Sequence, residues 1–230
     1  MRTTGIDVRL YDPSSTEFGR LVAALLFFKI DIVIDVGANK GQFGENLREA
    51  GYKDTILSFE PLKEAHNKLI KVSDGDDNWI VHPRCALGDS VGEIELNISA
   101  NSVSSSVLPM LHSHAKAAPH SGYVGKDKCP LTTLDMTVPA YIETSKSALL
   151  KIDTQGYEWQ VLDGAKETLS KARGVLIEMS LIELYESQKL WLEIKERLEA
   201  NGFTLWALQP AFIDPKNGRT LQLDGLFFRL

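Results

Sequence analysis

Apolar positions along the chain follow two periods in alternation. The runs IVIDV, TILSFE, LLKID and GVLIEMS are short and stay apolar until their last residue or two. Strands covered on both faces of a parallel sheet have this signature. Between them the period changes to that of a helix. Phe43, Leu47 and Ala50 keep one face and end at Gly51, where a C-terminal cap belongs. Val161, Leu162, Ala165 and Leu169 form a second stripe, and Leu190, Trp191, Ile194 and Leu198 a third that stops before Gly202. Strand and helix in alternation predict an α/β fold with a mostly parallel, doubly wound sheet. The tail breaks the rhythm. FTLWAL and GLFFRL are joined without helical periodicity, so the sheet is expected to end in an antiparallel C-terminal hairpin.

Two segments lie outside this alternation. LVAALLFFKI (residues 21–30) predicts a helix packed on the sheet, within an N-terminal helical segment 1–31 that precedes the main domain, 32–230. It is about half the length that spans a bilayer, and Lys29 and Asp31 close it. A peripheral membrane contact stays open. No basic start with a cleavage site precedes it, so a cytoplasmic location is expected. The second segment, about 97–128, loses periodicity in NISANSVSSSVLPMLHSHAKAAPHSGYVGKDK. It reads as a substrate-loop insertion, expected to be mobile without substrate and to govern acceptor choice.

Composition narrows the picture only slightly. The 230 residues are 43% hydrophobic and 24% charged, enough for one sizeable core. A net charge of −6 gives no reason to expect a nucleic-acid partner. Cys85 and Cys129 lack metal-ligand spacing and are expected as reduced thiols.

The chemistry begins where the first strand ends. In DVGANKGQFG, Asp35 precedes Gly37 by two residues and Gly41 follows by four. A dinucleotide fingerprint counted from Gly37 needs glycine at 39 and 42, where Asn39 and Gln42 stand. An NAD-dependent oxidoreductase is thereby disfavoured. An acid before the first glycine suits a cationic cofactor without phosphate, and S-adenosyl-L-methionine is one. Glu60, ending TILSFEP, is placed to accept two ribose hydroxyls, and Ala86 and Leu87 in RCALGD would lie along an adenine edge at the end of a third strand. This ordered set points to a Rossmann-like class I methyltransferase.

DVGANKGQFG, SFEP, CALGD, TTLD and KIDTQGYEWQVLDGA resemble the successive signatures of the FkbM family of S-adenosylmethionine-dependent methyltransferases. The resemblance runs from about Ile32 to Leu230. Through it, Asp35, Gly37, Ala38, Asn39, Gly41, Glu60, Pro61, Ala86 and Leu87 are the cofactor-binding positions. It implies methyl transfer to an oxygen, usually on a carbohydrate or polyketide-like alcohol. The serine-rich NSVSSSVLPM and PHSGYVG look closer to the branch that methylates sugars of bacterial glycolipids. Gln155 stands where the common family form has an acid.

A sugar hydroxyl needs a base as it attacks. Asp153, ending LLKID, is expected near the reacting atoms, with capping of the following helix as its alternative role. Glu178 ends the neighbouring strand, and the two acids could instead hold a divalent cation such as Mg2+. Of the loop histidines His112, His114 and His120, the last is the expected catalytic one. His66 and His82 read as structural, Glu158 as part of a helix, and Tyr157 or Trp159 as packing residues that could also face a sugar. A cofactor-binding regulator without catalysis is the remaining alternative.

Overall fold

Thr16 caps the first helix by accepting the Gly19 amide at 3.0 Å, in a computed structural model that describes residues 16–142 and 147–230. The first half of the expected N-terminal segment therefore lies outside the described residues. The order that follows is α1 (Glu17–Phe27), β1 (Ile32–Val36), α2 (Gln42–Glu49), β2 (Thr55–Phe59), α3 (Lys63–Ser73) and β3 (Trp79–Val81). Then come β4 (Ala86–Leu87), β5 (Gly92–Ser99), α4 (His112–Ala117), β6 (Tyr123–Thr132), α5 (Leu134–Thr137) and α6 (Pro139–Ile142). The chain closes with β7 (Ala148–Ile152), α7 (Glu158–Asp163), α8 (Lys166–Lys171), β8 (Gly174–Ser180), α9 (Trp191–Ala200), β9 (Thr204–Ile213) and β10 (Thr220–Phe228).

Seven strands form one sheet in the order β3-β2-β1-β7-β8-β10-β9. The first five are parallel, and β10 inserts antiparallel between β8 and β9. The hairpin is present, with longer strands than the apolar runs alone suggest. Chain order reverses between β1 and β7, so a crevice opens beyond their carboxyl ends. Alternate residues serve opposite cores. Ile34, Leu57, Leu150 and Ile177 pack toward Val161, Leu162 and Leu198, whereas Val33, Ile56 and Leu149 pack toward Leu25, Leu47 and Leu69.

Three local features differ from expectation. Ala86 and Leu87 do not end the third strand of the main sheet. They form β4, which with β6 and β5 makes a separate three-stranded sheet. The single helix expected after LLKID is two short helices, α7 and α8, with Gly164 capping the first, at a point where a Cβ would meet the Gly88 carbonyl. The serine-rich segment is also better anchored than its composition suggests. Leu108, Met110 and Ala117 pack with Leu184, Tyr185 and Leu221. Asn97 Nδ2 donates to the Ser106 and Val107 carbonyls, and the Tyr123 hydroxyl donates to Leu108 O at 2.7 Å.

Cys85 and Cys129 are buried free thiols. Among the described residues no helix is long and apolar enough to cross a membrane.

Candidate active site

The turn after β1 can only be made with glycine at its first position. Gly37 has φ +80°, and a Cβ there would sit 1.9 Å from the Asp153 carbonyl oxygen. The ends of β1 and β7 are thus pressed together at the switch point, and a cleft opens beside them. Gly37, Asn39, Glu60, Pro61, Ala86 and Leu87 line it, together with Asp153, beside Gly37, and Tyr157. Ser102 and Val103, then Ser105 to Val107, cover it from the serine-rich segment. Ser106 Oγ donates to the Gln155 carbonyl at 2.6 Å and fixes that cover.

Glu60 organises the near wall. Its two carboxylate oxygens accept the backbone amides of Asn39 and Leu62, each at 2.7 Å. Burial pushes its pKa up to about 7 against the pull of these amides.

Three of the expected cofactor positions stand behind this surface. Ala38 is buried with its amide on the Phe59 carbonyl, and Gly41 begins α2 beneath Leu69 and Trp79. Asp35 is wholly buried, and its partner is Lys151, whose Nζ lies 3.0 Å from Oδ1. Burial raises the Asp35 carboxyl, and Lys151 opposes the rise. The same ammonium donates to Gly37 O at 3.2 Å and lies 3.7 Å from Asp153 Oδ2. Burial works against its charge, but Asp35 and Asp153 outweigh that and hold the lysine above its ordinary range.

Asp153 and Glu178 are brought together, as the strand ends imply. Between them sits the Gln155 amide, donating to Asp153 Oδ1 at 2.9 Å and to Glu178 Oε2 at 2.7 Å. Tyr185 fixes its orientation by donating to Oε1 at 2.8 Å. An acid at 155 could not donate to both carboxylates, so the departure from the family form has a structural use. The amide also fills the place considered for a divalent cation. Among the described residues no group of three or more His, Cys, Asp or Glu side chains is arranged to hold a metal ion.

Glu178 accepts a second amide, from Gln222 at 2.6 Å. Burial drives its carboxyl well upward, and Asp153 and Asp224 push the same way. Asp153 is the more open of the pair, its side chain 38% exposed. It does not cap the next helix, since Tyr157 holds the N-cap position of α7 and no side chain caps that end. Glu158 holds that turn instead, accepting the amides of Thr154 and Gly156, both at 3.0 Å.

The histidines fall apart from one another. His120 is exposed in a separate surface hollow with Pro119 and Val124, away from Asp153. His112 is exposed as well. His114 is the one that reaches the acidic cluster, lining a hollow with Asp153 and Glu178, where burial lowers its pKa and Ser121 Oγ lies 3.0 Å from Nδ1. His66 and His82 are joined through a 2.8 Å contact from Nε2 to the His82 carbonyl, remote from the cluster. Trp159 lies beneath Arg197, 4.4 Å from its ring centre, and packs on the core. Lys151, Tyr185 and Asp224 were not among the expected site residues. Only Lys151 left a sequence signal: it is the one charge inside the apolar run LLKID, and its register partner on β1 is Asp35.

Sheet order, the antiparallel C-terminal insertion and the glycine turn at the β1–β7 crevice define a class I methyltransferase fold. The Methyltransferase FkbM domain matches residues 35–205, and the chain belongs to that family. The 2-O-methyltransferase NoeI of Sinorhizobium fredii (strain NBRC 101917 / NGR234) is 26% identical over 190 residues, 76% of this chain and 74% of its own. A fibrillarin/Nop5p complex gives a TM-score of 0.51 at 11% identity, covering 99% of this chain and 90% of that one. Magnesium protoporphyrin IX methyltransferase from Synechocystis PCC 6803 gives 0.48 at 9% identity, over 100% and 89%.

Proposed function

We propose that the chain is an S-adenosylmethionine-dependent O-methyltransferase acting on a sugar hydroxyl, on a glycolipid or related secondary metabolite. The cleft suits the cofactor by its donor set. Gly37 lets the backbone pass where no side chain fits, Glu60 offers carboxylate lone pairs to the ribose hydroxyls, and Ala86 and Leu87 give an apolar wall for adenine. When bound, the cofactor supplies a methyl group on a sulfonium. The observation that carries the reading is Asp153, the open carboxylate that lines the cleft beside Gly37. It takes the hydroxyl proton, while Lys151 and Gln155 hold its two oxygens in place. The relation to a 2-O-methyltransferase favours oxygen as the acceptor atom.

A lipid-borne acceptor accords with exposed Phe27 and Trp206, which stack at 6.2 Å at the end of α1. Co-sedimentation with lipid vesicles, lost in Phe27→Ser, tests that contact.

Calorimetry with S-adenosylhomocysteine and labelled-methyl transfer to a glycolipid extract test the proposal. Binding with transfer is expected. Binding without transfer to any extract favours a regulator, and absence of binding overturns the reading.

A further inference from the structure

Behind the shared wall of Gly37 and Asp153 lies a second cavity, between α1, α2 and residues of β7, β8 and β10. Gly37, Asn39, Val103 and Asp153 line both spaces, so Asp153 stands at their partition. We propose that this second cavity is the acceptor subsite and that it takes an uncharged glycosyl unit while rejecting one that carries a phosphate. The proposal rests on the methyl-transfer reading above and adds the chemical class of the acceptor.

Position is the first argument. A hydroxyl entering here meets the Asp153 carboxylate from one side, with the cofactor cleft on the other. The other hollow that reaches Asp153 is lined by Gln155, whose amide is already bound to Asp153 and Glu178.

Surface chemistry is the second. Phe18 and Phe43, their ring centres 5.6 Å apart, give apolar faces for the C–H side of a sugar ring. Gln209 and Asp224 face the same space, and no hydrogen bond from a described residue reaches the Asp224 carboxylate. Its carboxyl, with burial pushing it up to about 7, can accept from a hydroxyl when ionised or donate to one when protonated.

Charge decides the class. Glu17, Asp153, Glu178 and Asp224 line the cavity, and Lys151 is the one cation among its described lining residues. That lysine is committed to Asp35. Arg20, beside the rim, is tied to Gln209 at 3.2 Å. A phosphate here would face the carboxylates of Glu17 and Asp153, and that of Asp224 when ionised, with no uncommitted cation among the described lining residues, an arrangement that selects by repulsion.

Saturation-transfer NMR on protein loaded with S-adenosylhomocysteine tests this, using methyl glycosides of hexoses and 6-deoxyhexoses against hexose 1-phosphates. Glycosides should bind at least tenfold more tightly than the phosphates. Asp224→Lys should narrow or reverse that ratio by at least tenfold. Asn46→Trp, which fills the cavity from the exposed face of α2, should abolish glycoside binding and leave the homocysteine ligand bound as before. Equal binding of phosphates, glycoside binding that survives Asn46→Trp, or no glycoside binding to loaded protein each overturns the inference. Failure to bind S-adenosylhomocysteine would instead remove the methyl-transfer reading beneath it.

Discussion

Lys151 Nζ lies 3.0 Å from Asp35 Oδ1, and both side chains are buried. The register of β1 on β7 puts these residues directly opposite each other. The acid near the end of β1 is therefore paired with the lysine, which reaches on toward Gly37 O and Asp153. Asp35 is itself wholly buried in this geometry and presents no surface to the cleft.

Lys151→Met should leave a buried carboxylate without its counter-charge. Breaking one partner of a buried pair costs about 3–5 kcal/mol. The double change Asp35→Asn with Lys151→Met should recover much of that loss. Denaturant unfolding of the three variants checks this. Simple additivity of the two single changes would show that the pair is not coupled.

Gly37→Ala places a methyl group against the Asp153 carbonyl, 1.9 Å away, at a φ of +80°. Overpacking and backbone strain together should cost about 3 kcal/mol or more. Binding of S-adenosylhomocysteine should be lost with it. Gly92→Ala meets nothing within 4 Å and should be neutral. Thermal melts of both variants give the comparison.

Glu60 should make cofactor affinity depend on pH near neutrality. Its carboxyl titrates near 4.5 when solvated and about 7 in the fold, where burial raises it. The folded state thus holds the proton more tightly. The stability this contributes is full below about pH 4.5 and is lost as the pH rises through 7. Ligand binding runs the other way, because ribose hydroxyls donate best to the ionised form. Calorimetric titrations of S-adenosylhomocysteine from pH 6 to about 8.5 should show affinity rising with pH. Glu60→Gln should flatten that rise and weaken binding about 10- to 100-fold, as loss of a charge-assisted hydrogen bond does. An unchanged profile in the variant would place the ribose elsewhere.

The main sheet was legible because its strands are buried on both faces, which leaves continuous apolar runs such as IVIDV and LLKID. Six of the expected cofactor positions line one cleft for a related reason. Turns that press backbone on backbone need glycine, and Gly37 announces the place. Side-chain partnerships across the sheet left weaker traces. Nothing local distinguishes His114 from His120, yet packing on Tyr185 and Phe212 buries the first and leaves the second in solvent. Ala86 and Leu87 were placed on the wrong sheet because a two-residue strand has no periodicity to read. Gln155 looked like a lost acid, and its use as a bridge depends on Glu178 and Tyr185, 23 and 30 residues further along the chain.

The most direct test of a methyltransferase with Asp153 as its base is Asp153→Asn. The change keeps the side chain's size, and the Asn oxygen can still accept from Gln155. It removes the group that takes the acceptor's proton. Labelled-methyl transfer should fall about a hundredfold or more in kcat, while calorimetric affinity for S-adenosylhomocysteine changes little. Turnover at a near-normal rate in the folded variant would contradict the assignment and move the base to Glu178 or His114.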